Sequence, residues 1–394
     1  MSNLLFLLVL ASVPIQLGKF IFLEHSFVLG LPVDYRAVSI YFSDLAILLF
    51  LVSAVWQNRK SLGKIAKTFK VYSLAFAVFI AYLFFSSSDK ASYFFVSRIL
   101  VLGLFSVFAA NILQDKRLQA RSLIVLSFSV LWQSILIAAQ FINQGSVGAR
   151  ILGERTFDAS TVAIAHSQLF GAQYLRPYGT FPHPNAAAAY LTFSAIILVS
   201  SKKVIPALFT LLAILLTFSK SALSVLAIGV LVSVKNLQSL LIFLILTLAL
   251  GAFVAIQTTS YQIATIAERL LLSQAALDIA LINPLLGIGS NNFILELSKL
   301  NLLSLSQTRL LQPVHNVFLL ILAENGIVGL VLFTVLLLTV ARYVKGRTKI
   351  AVFVGMLIYL SVDHFLWTLA QGQLMFWFLA AYFLSGNPKG EQLK

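Results

Sequence analysis

Four side chains in this sequence have the chemistry to move a group between substrates: His315, Arg176, Arg269 and Lys220. A histidine titrates near neutrality, so it can take a proton from a hydroxyl. Cations and helix N-termini can stabilise a leaving phosphate. Each of the four stands in a polar block at the edge of an apolar run. Arg176 opens RPYGTFPHPNAAAAYL (176–191), and Lys220 sits between two serines in LLTFSKSAL (215–223). Arg269 heads AERLLLSQAALDIALINPLLGIGSNNF (267–293), while His315 and Asn316 open PVHNVFLLILAENGIVGLVLF (313–333).

Each block also has a plainer reading. Pro184 suits a first helical turn, where a missing N–H costs nothing, and Asn185 begins an alanine-rich run. Either these residues only cap a helix while Arg176 snorkels to lipid head groups, or Arg176 and the helix start grip an anion. A lysine within an apolar hairpin is costly unless it meets an anion or water; otherwise Lys220 is a loop-tip residue. Leucines at 270, 271, 277 and 281 share one helical face, with Glu268, Gln274 and Asp278 opposite, which predicts an amphipathic surface helix that stops at Asn283-Pro284. GIGSNN (287–292) has the glycines of a phosphate loop but no preceding strand, so a turn capping a short helix is expected. Glu324 lies nine residues past His315, about 13 Å deeper on a helix and facing away, and reads as a structural acid paired with a neighbouring helix. His25, His166, His183 and His364 show no metal-ligand spacing, Glu154 and Asp158 lack a cation motif, and no dedicated metal site or cofactor is expected.

The elements that must position these residues follow from composition. Of 394 residues, 60% are hydrophobic and only 10% charged, whereas soluble domains carry about 25% charged residues. The deficit runs the whole length, so the chain reads as a polytopic integral membrane protein of all-α class, a single transmembrane domain over 1–394 in contact with the lipid bilayer. There are no cysteines, which excludes disulfides and thiolate metal sites. The net charge of +15 does not point to nucleic acid, because the basic residues fall in short gaps between apolar runs.

About 12 transmembrane helices are expected, near 3–20, 38–56, 71–88, 95–113, 122–142, 184–200, 204–218, 221–235, 238–257, 315–341, 350–366 and 372–386. With a cytoplasmic amino terminus, 17 of the 28 basic residues fall in short cytoplasmic segments, and both termini come out cytoplasmic. No basic residue precedes the first run, which favours a retained span over a cleaved signal peptide. The runs at 204–218 and 221–235 are short; a hairpin with Ser219-Lys220-Ser221 at its outer tip keeps Arg342–Lys349 on the cytoplasmic side. Two long outer-face loops remain, 143–183 and 258–314, and loops of that length are usually functional.

The blocks RPYGTFPHPNA, TFSKSAL, ER…NPLLGIGSNNF and HNVFLLILAENGIVG, in this order, resemble the O-antigen ligase and O-antigen polymerase family of bacterial membrane glycosyltransferases. The resemblance is sharp over a catalytic region of about 170–335 and looser over the earlier spans, through topology and the Ser43-Asp44 opening of the second. It implies a glycan donor carried on a polyprenyl diphosphate, such as undecaprenyl diphosphate, and a glycan or glycolipid acceptor. The transfer would be metal-independent, on the outer face of the bacterial cytoplasmic membrane, in cell-surface polysaccharide biosynthesis. It also implies that Arg176, Lys220 and Arg269 bind the diphosphate, that His315 is catalytic, and that Pro184, Asn185 and Asn316 support them. The family's S-R is S-K here at Lys220, which keeps the charge but loses the planar fork. The rival reading is a transporter or flippase of a lipid-linked or anionic substrate, which predicts midplane charges and internal symmetry; a scaffold for envelope assembly is a third. Ligase and polymerase share these blocks.

Overall fold

The computed structural model describes residues 1–162, 164–169, 171–233, 259–300 and 310–386, with single positions at 241, 245, 249 and 252. Apart from those single positions, the expected span at 238–257 lies outside the described residues, as do Lys235, Lys389 and Lys394.

The protein is a helical bundle. In chain order its main helices are α1 (Ser2–Ser12), α2 (Phe42–Asn58), α3 (Leu62–Thr68), α4 (Lys70–Ser86), α5 (Lys90–Ile112), α6 (Lys116–Asn143), α7 (Pro184–Ser200), α8 (Val204–Leu216) and α9 (Lys220–Ser233). They continue as α10 (Thr259–Ile282), α11 (Phe293–Leu297), α12 (Val317–Ala341), α13 (Arg347–Val362), α14 (Phe365–Thr368) and α15 (Ala370–Leu384). α5, α6 and α12 are each long and apolar enough to cross a membrane, and α3 with α4, bent by 92°, passes as a pair. α1, α2, α7, α8 and α9 are apolar but shorter.

Helix α7 is the centre of one half of the bundle. Every residue from Pro184 to Ile196 is buried, and α8, α9 and α13 pack around it. Ala186–Ala189 give it the small side chains that let neighbouring backbones approach. α8 and α9 are two helices, not one, because the chain turns at Thr217–Ser219 with Phe218 at φ 55°. The other half joins α4 to α12, α5 to α15, and α1 to α2 and α6.

Several boundaries differ from the periodicity reading. α1 stops at Ser12, before Pro14, and the chain enters an antiparallel ribbon pairing Gly18–Ile21 (β1) with Val38–Tyr41 (β4), Gly18 opposite Tyr41. Between them Phe27–Val28 (β2) pairs with Leu31–Pro32 (β3). A third pair, His166–Leu169 (β5) with Ala172–Leu175 (β6), lies in the first long loop. α13 closes at Val362, not within the apolar run that continues to 366, so Asp363 and His364 stand between helices.

α10 buries Leu272, Ala275, Ala276 and Ile279, while Leu270, Leu277 and Leu281 are exposed along with Gln274 and Asp278. Three of the four leucines picked out by periodicity therefore face away from the protein, and Leu271 is half-buried. The stretch after α10 meets a break in α12: Ile288 and Gly289 N–H donate to the carbonyls of Ala323 and Glu324, while Ile327 and Val328 N–H donate to those of Pro284 and Leu285. Gly326 makes the break, with φ 62° and ψ −171°, a conformation essentially reserved for glycine. The NPLLGIG and ENGIVG blocks are thus one backbone-paired unit.

Candidate functional site

The polar blocks converge at the end of the bundle that carries the ribbons. Arg176 follows β6 and is held by two contacts. Its Nε donates to the Thr217 carbonyl at the α8–α9 turn (2.8 Å), and an Nη donates to Asn185 Oδ1 at the start of α7 (2.7 Å). The arginine thus pins the tip carrying Lys220 to the N-terminus of α7. That N-terminus is capped by His183, whose Nδ1 accepts from Asn185 N–H (3.1 Å), with Pro184 in the first turn. Burial and the nearby Arg176 charge lower the His183 pKa to about 3, so its ring is neutral and serves as an acceptor.

Asn185 passes the connection on. Its Nδ2 donates to Asp363 Oδ2 (3.2 Å), and Asp363 Oδ1 lies 3.6 Å from His315 Nδ1. The same Oδ1 accepts from the His364 backbone N–H (2.8 Å). Burial alone would raise the Asp363 pKa, but the His315 imidazole 3.6 Å away, with His364 and His183 nearby, holds it well below the usual carboxylate range. A buried carboxylate at the Nδ1 side of an imidazole selects the tautomer and steadies the imidazolium, leaving Nε2 to meet a substrate proton.

Asn316 fixes His315 from the other direction. Its Oδ1 caps α12 by accepting from Leu319 N–H (3.0 Å), and its Nδ2 donates to the Ser361 carbonyl (3.1 Å). Arg269 Nη1 donates to the Val362 carbonyl (3.3 Å), the residue before Asp363. Lys220, at the start of α9, lies within electrostatic reach of Arg176 and Arg269. Among the described residues neither Lys220 nor Arg269 is paired with a carboxylate. Arg176, Arg269, Asn185, Asn316 and His315 are therefore brought together around Asp363, with Lys220 near the two arginines.

Asp363 and His364 were missed by the sequence reading, which considered His364 only for metal spacing. The available signal was an Asp-His pair interrupting the apolar run at 350–366, where an ionisable residue is costly without a role. His364 packs its ring 5.1 Å from that of His315, and its Nδ1 meets Thr368 Oγ1 at 2.6 Å. Burial outweighs the pull of Asp363 and lowers its pKa to about 4. The short α14 that carries it is anchored by Trp367, buried among Phe95 and Phe333 at ring distances of 5.7 and 5.3 Å. One ligand atom from each of His315, Asp363 and His364 lies within 4.8 Å of the others, a donor set of the type that binds transition metals.

Glu324, read from the sequence as a structural acid paired with a neighbouring helix, is buried, and its partners are the segment between α1 and α2 and a short helix. It accepts from Tyr35 Oη (2.9 Å) and from Phe293 N–H at the start of α11 (3.0 Å). Arg36, next to Tyr35, pairs with Asp89 (2.5 Å) and donates to the Asn291 carbonyl (2.8 Å) and to Asn292. The segment between α1 and α2, which drew no functional expectation, thus clamps the GIGSNN turn. Glu154 is likewise structural, accepting from Gln140 Nε2 and the Val147 N–H, both at 2.8 Å.

No curated protein matches the chain. Residues 186–334 match the family model described as O-antigen ligase. The matched segment contains Lys220, Arg269, His315 and Glu324, while Arg176, Asp363 and His364 flank it. Through that segment, the chain is similar to the O-antigen ligase family.

Proposed function

We propose that this membrane protein transfers a glycan from a polyprenyl-diphosphate carrier to an acceptor hydroxyl, acting as an O-antigen ligase or a repeat-unit polymerase. The observation that carries the reading is the convergence of Arg176, Lys220 and Arg269 around the Asp363–His315 pair. His315 Nε2 takes the acceptor proton as the acceptor oxygen bonds to the anomeric carbon. The bond from that carbon to the diphosphate breaks, and its electron pair leaves with the diphosphate. The three cations and the N-terminus of α7 offset the charge that develops. With that much positive charge supplied by the chain, the reaction runs without a metal ion.

The basic-residue bias supports a bundle of about twelve spans with both termini cytoplasmic, which puts this end of the bundle on the outer face of the bacterial cytoplasmic membrane. The test is transfer by purified protein given a lipid-linked oligosaccharide and an acceptor glycolipid, with and without EDTA. Glycoside formation that persists in EDTA supports the reading. Full activity of the His315→Ala, Arg176→Ala double variant would sink the site, and inhibition by EDTA reversed by added metal would sink the metal-free mechanism.

A further inference from the structure

A cavity of about 420 Å³ lies between α1, the start of α6, α7 and α15, at the end of the bundle remote from the cations. The helices that frame it fix that position. α7 and α13 reach the candidate site with their Asn185 and Val362 ends, and the cavity meets them at the opposite ends, at Ser201 and Lys349. Along α7 it runs inward from Ser201 to Tyr190, and along α15 from Ser385 to Met375. At 1.5 Å per residue that is about 15–17 Å, half of the roughly 30 Å hydrocarbon core and so the depth of one leaflet.

The lining changes character along that depth. Further in it is apolar, with Leu10, Ile197 and Phe378 each half-buried on its wall. The polar groups at the inner end are already bonded within the bundle: Tyr190 Oη donates to Ser129 Oγ (2.8 Å) and Ser194 Oγ to the Tyr190 carbonyl (2.7 Å). The mouth carries a cation, the half-buried Lys349. Its ammonium has three N–H groups. One donates to the Phe383 carbonyl near the end of α15 (3.1 Å) and one to Ser385 Oγ (3.4 Å), which leaves the third without a partner among the described residues. No described carboxylate pairs with it. Capping α15 explains the first contact, but not a leaflet-deep apolar cavity under an ammonium with a donor to spare. Lys202 and Lys203 follow α7 at the same end.

We infer that this cavity holds one acyl chain of an anionic glycerophospholipid from the leaflet opposite the candidate site, with the lipid phosphate on Lys349. The chain lies along α7 and α15 in the apolar depth, and the head group stays at the mouth. A net negative head group suits this end better than a zwitterionic one, whose own ammonium meets the lysines. The polyprenyl carrier fits less well, because the cations proposed to hold its diphosphate stand at the far ends of α7 and α13. The lipid site stands whatever reaction the other end performs.

The test is photolabelling of the purified full chain in maltoside detergent with a phosphatidylglycerol that carries a diazirine in one acyl chain, the labelled peptides being mapped by mass spectrometry. Labels are expected on the cavity wall, at positions such as Leu10, Ile197 and Phe378. Unlabelled phosphatidylglycerol should compete about tenfold better than phosphatidylethanolamine, the worth of one hydrogen bond to a charged group. Lys349→Met should remove that preference and Lys349→Arg should keep it, while Ile197→Trp, which fills the apolar depth, should abolish labelling of the other wall positions. Labels confined to other surfaces, equal competition by the two lipids in the wild-type chain, or full labelling of the wall in Ile197→Trp would overturn the inference. Stronger competition by undecaprenyl phosphate than by phosphatidylglycerol would also overturn it, by assigning the cavity to the carrier's tail. If Lys349→Met unfolds through loss of the α15 cap, the wild-type competition and Ile197→Trp decide the matter between them.

Discussion

Asp363 Oδ1 stands 3.6 Å from His315 Nδ1, bringing the loop after α13 to the mouth of α12. The other carboxylate oxygen accepts from Asn185, which in turn accepts from Arg176. One connected path thus runs from a cation at the first long loop to the base. If His315 is the general base, Asp363→Asn should lower kcat by about 10²–10⁴-fold, the range of general-base catalysis, while undecaprenyl diphosphate still binds. Single-turnover transfer in the variant checks this; a rate within twofold of wild type would remove Asp363 from the mechanism.

Lys220 separates charge from geometry. It has no carboxylate partner among the described residues, so its removal should leave the fold intact. Lys220→Ala should cost on the order of 10²–10³ in transfer rate, and Lys220→Arg should retain most of it. Arg176→Ala should cost at least as much and also loosen the α8–α9 turn, because two of its contacts brace that turn against α7. Comparing transfer rates with protease resistance in the three variants distinguishes the two effects.

Stability should fall on mild acidification. His183 and His364 are held neutral in the fold, with pKa lowered to about 3 and about 4, against about 6.5 in an unfolded chain. Between those limits the unfolded state binds protons that the folded state refuses, so stability is lost as pH drops from about 6.5 toward about 4. Each histidine contributes a slope of up to about 1.4 kcal/mol per pH unit. Asp363, held low, keeps its stabilising effect above the ordinary aspartate pKa and loses it only at more acidic pH. His183→Asn, which keeps a capping acceptor, should flatten the dependence of the unfolding midpoint between pH 7 and 5. An unchanged slope would show that His183 is protonated in the fold.

The paired glycines give a structural prediction. A Cβ on Gly287 would sit 2.3 Å from the Glu324 carbonyl oxygen, and one on Gly326 2.3 Å from that of Leu285. Both have positive φ, 74° and 62°. Gly326→Ala should destabilise by at least about 1–3 kcal/mol from backbone strain alone. Gly287→Ala should act on the same paired segments, so the double variant should cost less than the sum of the two. Thermal unfolding of the four proteins closes the cycle.

Much of the molecule was legible in its residues. Polar groups are costly in an apolar chain, so Arg176, Lys220, Arg269 and His315 stood out by their placement, and the Pro184-Asn185 start of α7 was marked by its residue types. Periodicity was weaker. In a membrane protein both the lipid and the protein interior reward apolar side chains, so nothing in the spacing of α10 could say that Leu270, Leu277 and Leu281 would be the exposed face and Leu272 and Ile279 the buried one.

Sequence alone determined that the chain is helical and membrane-bound, and where its cations and its histidine stand along it, because hydropathy and charge are local properties. Only the tertiary structure decided that Asp363 closes on His315 and that the ENGIVG break receives the NPLLGIG turn. It also decided that a ribbon after α1 clamps Glu324 through Tyr35. Those pairings join segments far apart in the chain, and they form because buried polar groups must find partners wherever packing brings them.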